Sequence, residues 1–295
     1  MCLNPVYLRN RFIDYGLLSE DEKKALQVRD FSSTDSRPAF PVSCGKCLEC
    51  LRQQTNEWAF RCALEAKGYL DNCIITLTFA NVDNRKGIVD YSNEPLVKKD
   101  YQDFLKRLRS HIDKPIRYFL SGEYGSKKGR SHYHIIIFGW CPGDLVFSHY
   151  NEHKNPIFRS KEVEKIWGNG LCSVDVFNFE NAFYCSKYLQ KVVFHEGDFL
   201  STQRPFVAMS LKPGIGFNWL QDHKETLLQT DKIFVDGHYI KTPRYFLKVL
   251  EREGHDLEMI KKVRKLKATN LQPSAALLLH KRQKAQNFLN LKFKS

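Results

Sequence analysis

No apolar run in the 295-residue chain reaches the roughly 18–20 residues that a membrane span needs. The longest strong run, Ile135-Ile136-Ile137-Phe138, suits a strand. No charged segment followed by an apolar stretch opens the chain, so the expectation is no secretory signal and a cytoplasmic protein. No G-x-x-x-x-G-K-[S/T] sequence occurs, which excludes a P-loop motor in this chain. No internal repeat occurs, which excludes a solenoid. Nine cysteines are too sparse for a disulfide scaffold. Acidic residues are in deficit, 33 against 46 Lys and Arg, and the formal charge is +13.

A chain 42% apolar and 27% charged can bury a core and is not a disordered chain. The positive charge points to a nucleic-acid partner, because Lys and Arg release counterions from phosphates. Over half of it lies in the last 45 residues, where 11 basic residues face 4 acidic ones.

Pro5, Pro38 and Pro41 make residues 1–43 read as an irregular arm, and the spacing of Trp58, Cys62, Ala66 and Tyr69 predicts a helix from about Gln54. Cys73–Phe79 reads as a central strand, and Leu96–Ile112 as an amphipathic helix with Val97, Tyr101, Phe104, Leu105, Leu108 and Ile112 in one stripe. Ile116–Glu123 and His132–Gly139 read as strands joined by a basic hairpin turn. Residues 141–160 read as a surface excursion, followed by a helix at 160–167 and a strand at 171–177. A helix is expected over 180–194, a hairpin around Asp236-Gly237 and a helix over 245–268. These elements predict an α+β fold, divided into an arm with a Cys cluster (1–53), a core (54–250) and a basic, partly helical tail (251–295).

Three constellations carry chemistry. In His132-Tyr133-His134 the two imidazoles project from one face of a strand, and a hairpin brings Glu123 alongside. Two imidazoles and a carboxylate make a divalent-cation site with positions open to substrate oxygens. The threonines of Thr76-Leu77-Thr78 share one face of their own strand, a candidate for the face bearing the histidines. In Tyr184-Cys185-Ser186-Lys187-Tyr188-Leu189-Gln190-Lys191 both tyrosines fall on one helix face, each with a lysine three positions on. A phenol becomes a nucleophile by losing its proton, which a nearby cation favours. The same pattern also suits two amphipathic tyrosines packed on a sheet. Cys44, Cys47 and Cys50 are spaced to chelate zinc or an iron–sulfur cluster, with Cys2 the candidate fourth ligand. Gly214 and Gly216 either admit a phosphate backbone or simply turn the chain.

Taken with Met1–Pro5, Pro213–Gly216 and Pro243-Arg244-Tyr245, these stretches resemble the replication initiators of gokushovirus-type single-stranded DNA phages, within the HUH endonuclease superfamily. The matching stretches follow the family's order up to about residue 250. The resemblance implies a central antiparallel sheet of about five strands with packed helices. It implies Mg²⁺ or Mn²⁺ on His132, His134 and Glu123, attack by Tyr184 and Tyr188 to form a 5′-phosphotyrosine and a 3′-OH primer, and charge stabilisation by Lys187 and Lys191. Lys127, Lys128 and Arg130 are candidate DNA contacts. Single-stranded or melted origin DNA, a host helicase and a host polymerase are the implied partners, in the cytoplasm of an infected bacterium. Alternatives at this level are a non-catalytic zinc-stabilised nucleic-acid-binding protein, an iron–sulfur redox enzyme, and another HUH enzyme such as a relaxase or transposase.

Overall fold

A computed structural model describes residues 6–9, 39–45, 47–80, 95–125, 130–151, 154–194, 204–235, 237–270, 279–285 and 287. Two compact units result, Met1–Gln53 with Leu271–Ser295, and Gln54–Asn270.

In the first unit, strands β1 (Val6–Arg9) and β2 (Ala39–Val42) pair antiparallel, so the arm holds a β-ribbon where an irregular segment was expected. Helix α1 (Leu48–Ala66) starts within the cysteine run, with Leu51 N–H donating to the Cys47 carbonyl, and its second part belongs to the second unit. The polar stretch Arg52-Gln53-Gln54 hid those first turns from the apolar period.

The second unit is built on a seven-stranded sheet in the order β6-β7-β8-β3-β5-β4-β9, antiparallel throughout. Its strands are β3 (Asn72–Phe79), β4 (Arg117–Tyr124), β5 (Ser131–Phe138), β6 (Val146–Tyr150), β7 (Pro156–Arg159), β8 (Gly170–Val176) and β9 (Phe206–Met209). The sheet exceeds the expected five strands because the supposed excursion at 141–160 supplies β6 and β7, and β9 closes the other edge. Every β6 residue is exposed, so β6 carries no burial alternation to read.

Helices α2 (Lys98–His111) and α3 (Lys161–Trp167) cover one sheet face, packing Tyr101, Phe104, Leu105, Leu108 and Trp167 onto Ile75, Leu77, Tyr133, Ile135 and Ile137. On the other face, α1 and α4 (Phe179–Phe194) pack Cys62, Ala66, Ala182 and Cys185 onto Ile74, Phe119, Ile136 and Phe138. A third cluster joins α1 to α5 (Phe217–Thr230), the β10 (Lys232–Val235) and β11 (His238–Lys241) hairpin, α6 (Arg244–Arg252) and α7 (Glu258–Asn270). Helix α5 escaped the sequence reading, and the expected helix over 245–268 is two helices, broken around Gly254-His255-Asp256. Leu257 and Ile260 are buried in that cluster and tie α7 to the second unit.

The Pro213–Gly216 loop is held by side chains of this unit. The Arg61 guanidinium lies between the Trp58 and Tyr245 rings, 4.0 Å from each centroid, and donates to the Ile215 carbonyl. Glu65 pairs with Arg117 and accepts from the Gly216 N–H, and Arg117 also donates to the Pro213 carbonyl. Gly214 donates its N–H to the Tyr245 hydroxyl, and a Cβ there would lie 2.4 Å from that oxygen. The close approach that the glycine serves is therefore to Tyr245. Gly214→Ala should destabilise the second unit by about 1–3 kcal/mol through overpacking. Chemical denaturation of the purified variant would measure it, and an unchanged midpoint would refute the packing account.

Candidate active site

The metal-site candidates sit on the middle strands. β5 is flanked by β3 and β4, and register places Thr76 and Ser121 opposite His134, and Thr78 and Glu123 opposite His132. Period-2 alternation puts His132 and His134 on the face that continues into Ile136 and Phe138, while Tyr133 enters the opposite core. One sheet face is thus apolar under α1 and α4 and polar at its other end. The four apolar residues at 135–138 are fully buried and anchor the histidine strand.

Both imidazoles are oriented by hydroxyls of β3. Thr76 Oγ1 lies 2.9 Å from His134 Nδ1, and Thr78 Oγ1 lies 3.0 Å from His132 Nδ1. The second nitrogen of His134, Nε2, contacts Glu123 Oε1 at 3.2 Å, and Glu123 is 4% exposed. Glu123 therefore faces His132 in register but reaches diagonally to His134. The carboxylate accepts, so Nε2 carries the proton here. A cation taking that nitrogen would leave the proton on Nδ1. A threonine hydroxyl serves either tautomer, because it can donate or accept. Thr76→Val should therefore weaken cation binding about 10- to 100-fold while keeping the β-branched strand fit. Mn²⁺ titration followed by electron paramagnetic resonance would read this, and an unchanged affinity would remove the threonine from the site.

Two further oxygens on this face, Ser121 Oγ and Asp175 Oδ1, are buried and make no hydrogen bond. Asp175 pairs with Ile74 in the β3–β8 ladder, so it shares the histidine face. Burial pushes its carboxyl up to about 6, while the His134 and His149 imidazoles pull it down. Sequence reasoning missed Asp175; an aspartate inside a strand, where that residue is depleted, was the available signal. Two imidazoles, a carboxylate and unsatisfied oxygens are a donor set that fits a divalent cation. The two rings stand 6.3 Å apart, centroid to centroid.

Helix α4 lies across β4, β5 and β9. Ala182, Cys185 and Ser186 face inward, and Tyr184 (48% exposed) and Lys187 are exposed. Burial, reinforced by the Asp175 and Glu123 carboxylates, pushes the Cys185 thiol up, which places the residue beside Tyr184 near the acidic part of the histidine face. Positions 184 and 188 are one turn apart in α4; the side chains of Tyr188 and Lys191 lie outside the described residues. Lys127 and Lys128 also lie outside them, while Arg130 is half-buried where the Gly125 N–H closes the turn on its carbonyl.

In the first unit, the Cys44, Cys47 and Cys50 sulphurs lie within 4.8 Å of one another, the one such compact set of donors among the described residues. Cys44 and Cys50 sulphurs are 4.0 Å apart, and the Cys47 N–H donates to Cys44 Sγ. Two bonds of about 2.3 Å at a tetrahedral angle put sulphurs about 3.8 Å apart, so the spacing fits one zinc ion. Cys2 lies outside the described residues.

Comparison with known proteins follows this geometry. Residues 72–193, which span β3 to α4, match the Replication-associated protein ORF2 family. The chain is similar to Replication-associated protein ORF4 of Chlamydia phage 1, 30% identical over 236 residues, covering 77% of this chain and 56% of that protein. It is also similar to Replication-associated protein VP4 of Bdellovibrio phage phiMH2K, 27% identical over 70% of this chain and 67% of that protein. Replication-associated protein ORF2 of Spiroplasma virus 4 is 28% identical over 76% of this chain and 72% of that protein. The matched stretch thus spans little more than half the length of the Chlamydia phage relative. No solved structure matches. The fold and these matches define a phage replication-associated protein. The chain belongs to the replication-associated proteins of the microvirus type. No helix among the described residues is long and apolar enough to cross a membrane.

Proposed function

We propose that this protein initiates rolling-circle DNA replication as a cation-dependent, single-strand DNA endonuclease and strand transferase. The observation that carries the reading is one sheet face on which His132, His134 and Glu123 meet, crossed by the helix that bears Tyr184 and Tyr188. A Mg²⁺ or Mn²⁺ ion held by His132, His134 and Glu123 would polarise the scissile phosphate.

A tyrosine oxygen attacks phosphorus, the Tyr–O–P bond forms, and the P–O3′ bond breaks. The departing 3′ oxygen takes a proton and becomes the primer end. The second tyrosine cuts the regenerated origin, and the freed 3′-OH displaces the first tyrosine to close a circle. Lys187 and Lys191 stabilise the negative charge of phenolate and phosphorane. The phosphotyrosine conserves the phosphodiester energy, so no nucleotide hydrolysis is required. Origin unwinding and extension fall to a host helicase and polymerase in the bacterial cytoplasm. Lys127, Lys128 and Arg130 serve as DNA backbone contacts. In the first unit Cys44, Cys47 and Cys50, with Cys2 as fourth ligand, hold a structural zinc ion.

The test is an adduct assay. The protein is incubated with Mn²⁺ and single-stranded circular DNA carrying its origin, and a denaturing gel is read for a protein–DNA adduct. An adduct that needs the cation is expected. No adduct on a verified origin, with DNA binding intact, would shift the assignment to a non-catalytic zinc-stabilised binding protein.

A further inference from the structure

A second basic and aromatic surface lies in the second unit, on elements that the chemistry above leaves unused. A cleft of about 560 Å³ opens between the C-terminal end of α1, helix α5 and strand β10. Trp219 and His223, one turn apart on α5, line it with rings stacked at 4.0 Å and 9°. His223 is exposed, so its outer ring face is accessible. Phe234 and Lys232 line the opposite wall.

The hairpin carries this surface outward. Alternation buries Ile233 and Val235 and leaves Lys232, Phe234, Tyr239 and Lys241 exposed. Register sets Phe234 opposite Tyr239 and Lys232 opposite Lys241. The two aromatic rings touch at 5.0 Å and are 57% and 74% exposed. Each half of this arrangement is unfavourable in an empty protein. Like charges directly opposite on two strands repel, and two adjacent exposed rings leave apolar area in water. A ligand with phosphates for the lysines and flat apolar faces for the rings relieves both. Lys67 adds a third positive charge at the rim. The cleft's acids are Glu65, held by Arg117, and Asp222.

We infer that this cleft and the outer face of the β10–β11 hairpin bind single-stranded DNA, with bases stacked on Phe234, Tyr239 and His223 and the backbone held by Lys232 and Lys241. Aromatic platforms flanked by cations are how proteins hold a single strand with little sequence preference, because every base has a π-face. Asn218, Asp222 and Thr226 line the same cleft and offer donors and acceptors to base edges. The site gives the protein a strand grip outside the histidine face. It rests on the reading of the protein as a single-strand DNA enzyme.

Fluorescence anisotropy with a labelled oligodeoxythymidine, over a range of salt concentrations, tests it. Phe234→Ala/Tyr239→Ala should weaken binding about tenfold or more and leave the salt dependence unchanged. Lys232→Glu/Lys241→Glu should weaken binding and reduce the slope of log K against log salt by about 0.7 for each phosphate that is no longer neutralised. An oligonucleotide carrying 5-iododeoxyuridine should photocross-link to a peptide containing Phe234, Tyr239 or Trp219. All four substituted side chains are exposed, and thermal unfolding would verify that the variants stay folded. Wild-type affinity in both variants, with cross-links mapping elsewhere, would overturn the cleft and mark it as a surface for another partner. The adduct assay would then still report on the nicking reaction by itself. Wild-type protein that binds no single strand and forms no adduct would overturn both readings.

Discussion

His132→Ala and His134→Ala should each abolish cation-dependent cleavage while leaving salt-sensitive DNA binding largely intact. Each variant removes one of two imidazoles that share a sheet face with Glu123. Losing a single preorganised stabiliser of transition-state charge typically costs about 10²–10³ in rate. Losing a ligand also weakens the ion that does the stabilising, so the combined loss should exceed about 10³-fold. The fold should survive, because Ile135 to Phe138 still hold β5 in the core. The two variants should differ in stability. His134 contacts Glu123 at 3.2 Å, and Glu123 is 4% exposed, so His134→Ala takes a partner from a buried carboxylate. That should cost about 1–3 kcal/mol, whereas His132→Ala removes its Thr78 contact from a more open position. Cleavage rates at saturating Mn²⁺ and denaturation midpoints read the two effects. Unaltered cleavage in either variant would remove that histidine from the ligand set.

Much of this site was legible because its signals are local. The pattern His-Tyr-His followed by four apolar residues states which face is polar and where the strand is anchored, and β5 follows it. The α2 stripe likewise buried Tyr101, Phe104, Leu105 and Leu108, although Val97 caps the helix and is 41% exposed. What escaped depends on pairing between distant segments. The threonine–histidine contacts exist only because β3 and β5 pair in one particular register. Glu123 reaching past its register partner to His134 is a side-chain choice that no spacing reveals. Asp175 arrives through β8, which joins β3 from the other side. Edge strands were least readable. β6 is wholly exposed and β9 is four half-buried residues long, so neither carries a period.

Tyr184→Phe combined with Tyr188→Phe should eliminate the protein–DNA adduct altogether. Phenylalanine keeps the ring and deletes the attacking oxygen. Only water would remain as nucleophile, and adduct formation should fall more than about 10³-fold. The completeness of that loss follows from the surroundings. Tyr133 lies between the two histidines in sequence but enters the opposite core, where its hydroxyl bonds with Val97 and Asp100 and burial pushes its pKa up. Cys185, beside Tyr184, is buried, and its thiol is held in the protonated form by burial and by two nearby carboxylates. Neither can substitute as a nucleophile. The single variants should behave differently. If the tyrosines alternate, either one alone still gives a first-cut adduct, but circle closure, which needs a second nucleophile, should be lost. Gel analysis of adduct and circular product separates these outcomes. A single variant with no adduct would mean that one tyrosine alone starts the reaction. An adduct persisting in the double variant would place the nucleophile elsewhere, and peptide mapping of the linked residue would identify it.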